Sequence, residues 1–153
     1  MFVTTKQMLL DAQAGHYAVG AFNVENLEFV MAVVRAAEER RSPVILQTTP
    51  GTIKYASLDY FAAMVRCAAE EATVPVALHL DHGDGFDRCI QAARAGYTSV
   101  MIDGSHVPFE DNLALTASVT KFAGPINLPV EAELGKVGGK EDDGPAVEGE
   151  NPY

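Results

Sequence analysis

An alternation constrains this chain more than any other feature. Five extended apolar runs, four of them followed by a segment with helically spaced apolar residues, recur roughly every 25–30 residues. The runs are Ala18–Val24, Val44–Thr49, Val76–His82, Ser99–Asp103 and Pro129–Leu134. Helices are predicted over Leu27–Arg40, from about Leu58 to Glu71, near Phe86–Ala95 and near Asn112–Phe122. In the first of these Phe29, Val30, Val33, Val34 and Ala37 share one side; in the second Phe61, Met64, Val65 and Ala68 do. Ser42-Pro43 and Pro50-Gly51 bound the second run as turn signals, and Gly96 has the place of a helix C-cap. Units of this size join parallel strands by right-handed crossovers, so an α/β fold with a parallel sheet is predicted.

Two architectures contain such units: an open doubly wound sheet and a (β/α)₈ TIM barrel. A dinucleotide-binding sheet needs glycines in its first strand-to-helix turn, and that turn reads Asn23-Val24-Glu25-Asn26. Polar residues instead stand at the ends of successive strands: Asn23, Thr49, Asp81 with His82, Asp103, and Glu131 with Glu133. A barrel gathers its strand C-termini into one mouth, which favours the barrel. A complete barrel takes about 200–250 residues, whereas this chain has 153. Residues 1–153 are therefore expected to be the N-terminal part of a single barrel domain, supplying about its first five βα units.

Composition narrows the partners. Apolar residues make up 48% of the chain, enough for a real core and too many for intrinsic disorder. The net charge of −10 gives no electrostatic help toward nucleic acid or anionic lipid. No run reaches the roughly 18 uncharged apolar residues of a membrane span, and MFVTTKQMLLDAQ lacks the basic and apolar regions of a signal peptide. Cys67 and Cys89 form no CxxC and are expected as buried free thiols of a cytoplasmic protein. Small molecules and protein partners remain.

The residues with chemistry cluster at the strand ends. In VALHLDHG, strand alternation puts Asp81 on the face of His79 and His82 on the face of Leu78 and Leu80. For Asp81 and His82 to serve one site the chain must bend, and Gly83 is expected to permit it. His82 then offers an imidazole to a metal with Asp81 as a proton carrier beside it, or the pair simply stabilises a turn. Asp103 is either a site carboxylate or the N-cap of the next helix. Glu131 and Glu133, about 6–7 Å apart on one face, require a cation or a shared proton if they point inward, and nothing if they lie on a solvent-facing edge. The segment GKVGGKEDDG is a disordered stretch or a loop that carries a carboxylate such as Glu141 to the site. His16 is expected at the surface and His106 in a loop. No strand supplies a lysine for Schiff-base chemistry.

The segments AVGAFNVEN, PVILQTTPGTIKY, VALHLDHG, SVMIDGSHVPFEDN and VEAELGKVGGKEDD together resemble the class II, zinc-dependent ketose-bisphosphate aldolases, which include the fructose- and tagatose-bisphosphate enzymes. LHLDHG and VEAELG followed by GGKED are the most specific of these motifs, and TTPG leans toward the tagatose branch. The resemblance implies a zinc cofactor, a sugar bisphosphate substrate and a homo-oligomer. By position it implies Asp81 as the acid/base at the sugar C4 oxygen and His82 as a zinc ligand, with Asp103 and Glu133 holding an alternative zinc position. It also implies Glu141 as the loop carboxylate that exchanges the donor-carbon proton, Thr49 near the donor's phosphate end, and Asn23 lining the mouth. The implied reaction is reversible aldol cleavage to dihydroxyacetone phosphate and glyceraldehyde 3-phosphate. The family's remaining zinc histidines, phosphate loop and last strands have no counterpart in these residues, so a non-catalytic metal- or sugar-phosphate-binding half barrel is the alternative.

Overall fold

A computed structural model describes residues 1–135 of the chain. Eleven principal elements follow one another: α1 (Thr5–Gly15), β1 (Gly20–Asn23), α2 (Leu27–Arg40), β2 (Val44–Thr48), α3 (Pro50–Tyr55), α4 (Leu58–Glu71), β3 (Val76–Gly83), α5 (Phe86–Ala95), β4 (Ser99–Ile102), α6 (Phe109–Ala123) and β5 (Val130–Ala132). The five strands form one parallel sheet in the order β1-β2-β3-β4-β5. Sequential order with every pair parallel is the arrangement of consecutive barrel strands, as expected.

Local signals explain most boundaries. Asn26 caps α2 by accepting from the Phe29 N–H, with Glu28 in the first turn and Arg40 in the last, matching the helix dipole. Gly96 closes α5 at φ 100°, a conformation that costs other residues a steric clash. Pro50-Gly51 corrects the turn reading. Thr49 caps a short helix there and Pro50 occupies its first turn, where a missing N–H loses nothing. α6 starts at Phe109 rather than Asn112. β5 is shorter than Pro129–Leu134, since only Val130, Glu131 and Ala132 pair with β4.

The sheet has two unlike faces. Leu46, Leu78, Leu80, Val100 and Ile102 point to one side and are fully buried against α2, α4, α5 and α6, with Val30, Phe61, Val65 and Val119 from the helices. Each such side chain contributes about 1.5–3 kcal/mol on burial. The other face holds Ile45 and Ala77 under Met8 of α1, then Gln47, His79, Asp81, Ser99 and Glu131 further along. Apolar at its foot and polar toward the strand C-termini, this inner face leads to the site. Cys89 is buried as expected; Cys67 is exposed, a correction, because it lies on the solvent side of α4. His16, the left-handed cap of α1, and His106 are both exposed. Among the described residues no helix is long and apolar enough to cross a membrane.

Candidate active site

The site begins with an irregularity in β3. Leu80 pairs with Val100 and Gly83 with Ile102, so two residues, Asp81 and His82, stand opposite Met101 alone. This is a β-bulge, which re-aims side chains near a strand end. His82 absorbs the extra residue itself, with φ at 47°, a left-handed conformation that costs a non-glycine residue about 1–3 kcal/mol. Here the structure corrects the expectation that Gly83 would make the bend. Gly83 is required for close approach instead: a Cβ there would collide with the Met101 carbonyl oxygen.

The bulge turns His82 toward the ends of β4 and β5. Its Nδ1 lies 3.0 Å from Asp103 Oδ2 and 4.0 Å from Glu133 Oε2. One ligand atom from each of His82, Asp103 and Glu133 lies within 4.8 Å of the others, the one such grouping among the described residues. Asp103 is not a helix N-cap. α6 begins six residues later, and Asp103 Oδ1 accepts from the Ser105 N–H at 2.9 Å. Burial pushes the Asp103 carboxyl up, but the hydrogen bonds from His82 and Ser105 outweigh it and hold it below the usual range. Glu133 lies past the end of β5, where Asn112 of α6, itself buried, donates to its carbonyl at 2.8 Å. One imidazole nitrogen and two carboxylates form a donor set that fits a divalent ion such as zinc.

Glu131 and Glu133 do not share a proton. Glu133 faces His82, while Glu131 Oε2 stands 3.5 Å from His79 Nε2. Burial, then the positive potential of His82, pushes His79 down to about 4, so the ring is neutral and its contact with Glu131 is no ion pair. His79 Nδ1 lies 2.7 Å from Ser99 Oγ, while its buried Nε2 makes no hydrogen bond. Burial and the neighbouring Asp81 charge raise Glu131, with His82 pulling the other way. His79, Ser99 and Glu131 line a cavity of about 410 Å³ on the inner face, together with Gln47.

The remaining candidates are placed as follows. Asn23 ends β1 on the inner face, where its Oδ1 accepts from Gln47 Nε2 at 2.8 Å. The same Gln47 nitrogen donates to Asp81 Oδ2 at 2.6 Å. Thr49 is buried at the mouth with its hydroxyl committed to capping α3, 3.4 Å from the Thr52 N–H. Glu141 lies outside the described residues. Gln47, Asn112 and Ser99 were missed from sequence, as were the contacts that join His79 to Ser99 and Glu131. Gln47 carried a signal, since a long amide inside the apolar run VILQTT has to find partners in the sheet.

Comparison with known proteins gives this geometry its family. The model for "Fructose-bisphosphate aldolase class-II" matches residues 3–151. A relative from Halalkalibacterium halodurans, named 6-phospho-5-dehydro-2-deoxy-D-gluconate aldolase, is 52% identical over 143 residues, covering 92% of this chain and 50% of its own length. A Bacillus subtilis protein named probable fructose-bisphosphate aldolase is 52% identical over 144 residues, with the same coverage. The crystal structure of the YdjI aldolase from Escherichia coli K12 superposes with a TM-score of 0.85 at 41% identity, covering 88% of this chain and 51% of that one. The chain thus spans about half the length of the curated relatives it matches. On its sequence, its sheet and the arrangement of its strand ends, this chain belongs to the class II fructose-bisphosphate aldolase family.

Proposed function

We propose that residues 1–153 are the N-terminal part of a single (β/α)₈ domain whose whole protein is a zinc-dependent lyase cleaving a ketose 1,6-bisphosphate. The convergence of His82, Asp103 and Glu133 at the strand ends, beside the Asp81 carboxylate, carries this reading. The three would hold the metal, which supplies Lewis-acid polarisation of the ketone carbonyl when bound. Asp81 takes the proton of the C4 hydroxyl as the C3–C4 bond breaks, and the aldehyde product leaves. Glu141 delivers a proton to C3 of the three-carbon ketone, where the bond's electron pair remained; in synthesis both transfers reverse. Asn23 and Thr49 contact the donor end of the sugar. The family resemblance supports a homo-oligomer in the cytoplasm, and sedimentation of the whole protein tests the first part.

The deciding experiment is turnover of fructose and tagatose 1,6-bisphosphates by the full-length protein, before and after treatment with EDTA. Activity that disappears with the metal and returns with added zinc is expected. Full activity in excess chelator, or trapping of substrate on a lysine by borohydride, would sink the proposal. Because one relative is named for 6-phospho-5-dehydro-2-deoxy-D-gluconate, that compound belongs in the same assay, and exclusive activity on it would replace the bisphosphate assignment. Binding of zinc or sugar phosphate without any turnover would favour the non-catalytic module.

A further inference from the structure

Gln47 occupies the centre of the inner face. It stands in register with Asn23 on β1 and His79 on β3, and Asp81 lies two residues beyond His79 on the same face. An amide nitrogen carries two N–H bonds, and Gln47 has two acceptors for them: Asn23 Oδ1 at 2.8 Å and Asp81 Oδ2 at 2.6 Å. An ionised carboxylate only accepts, which settles which end of the Gln47 amide faces Asp81. With its carbonyl turned toward Gln47, Asn23 directs its –NH₂ away from that amide.

We propose that Gln47 is a positioning residue that holds the Asp81 carboxylate and the Asn23 amide as one unit. The inference rests on the aldolase reading above. A carboxylate that must meet one hydroxyl proton gains from a fixed direction, since misplacement of about 1 Å can cost roughly 10²-fold in rate. The charge-assisted bond from Gln47 supplies that direction from a neighbouring strand, where the sheet ladder fixes the separation. Gln47 also ties the proton-accepting group to a residue at the substrate end, so a polyhydroxylated phosphosugar meets both already aligned. Neither hydrogen bond of Gln47 goes to His82, Asp103 or Glu133, so its loss leaves the metal ligands their own contacts.

The test uses the full-length protein with Gln47→Met, which keeps the length and removes both donors, and Gln47→Asn, which keeps the amide on a shorter stem. Gln47→Met is expected to lower kcat roughly 10- to 100-fold, more than it raises KM, with bound zinc unchanged; Gln47→Asn should recover part of the rate. The decisive measurement is the double-mutant cycle with Asp81→Ala: once Asp81 is absent, Gln47→Met should cost less than about twofold further. Full multiplication of the two losses, or a Gln47→Met enzyme with wild-type kcat, overturns the proposal. If Gln47→Met fails to fold, Gln47→Asn carries the same cycle and is judged by the same criterion. A wild-type protein that turns over no sugar phosphate fails the aldolase reading itself and takes this inference with it.

Discussion

The two faces of the sheet are built from the same strands and obey opposite rules. On the outer face Leu46, Leu78, Leu80, Val100 and Ile102 fill space against four helices and hold no polar partner. On the inner face Gln47, His79, Asp81 and Ser99 alternate with them residue by residue and are held by directional bonds. Burial energy grows with area and ignores direction, whereas a buried polar group is stable only where a specific partner meets it. The outer face therefore stabilises the fold, and the inner face stores geometry.

The strongest break of this contrast comes from deleting one inner carboxylate. Asp81→Ala in the full-length protein should lower kcat about 10²–10⁴-fold, with zinc content and unfolding midpoint close to wild type. Loss of zinc, with the rate restored by excess zinc, would reverse the roles given to Asp81 and His82. The mirror experiment is Leu78→Ala, fully buried one residue before His79. It should cost about 2–5 kcal/mol of stability, read from denaturant midpoints, while KM of the folded fraction stays unchanged.

His79 joins the two behaviours, because it is buried on the inner face almost as fully as the outer leucines and yet can titrate. Its value of 6.5 in the unfolded chain falls to about 4 in the fold. Between those values the unfolded chain binds a proton that the folded one does not. The His79 contribution is therefore complete above pH 6.5 and shrinks as pH falls toward 4, by up to roughly 3 kcal/mol. Denaturant midpoints between pH 7 and pH 4.5 should fall more steeply for wild type than for His79→Gln; equal slopes would show that His79 is not buried as described. The smallest effect belongs to neither face. Asp84, just before α5, and Arg88 in its first turn form an exposed pair at 3.0 Å, and Arg88→Ala should change stability by less than about 0.5 kcal/mol, a baseline for the other variants.

Much of the frame was legible in the sequence. The βα alternation predicted every strand of the sheet and four of its helices, and polar residues at strand ends singled out Asn23, Thr49, Asp81, His82, Asp103, Glu131 and Glu133 as residues of one mouth. Both signals are local: a period of 2.0 or 3.6 and a position at the end of a run survive without knowledge of any other segment. Strand ends become a site because parallel crossovers bring like ends together.

What the tertiary structure alone decided concerns direction and partnership. Strand alternation put His82 on the leucine face, and only the register of β3 against β4 shows the extra residue that turns it toward Asp103 and Glu133. Glu131 and Glu133 read as one acidic pair until pairing sent one toward His79 and the other toward His82. Gln47 read as a polar residue in an apolar strand until its partners, 24 and 34 positions away in sequence, were in place. A hydrogen bond depends on the position of both ends, and for groups on different strands that position is set by the sheet register, which no local pattern encodes.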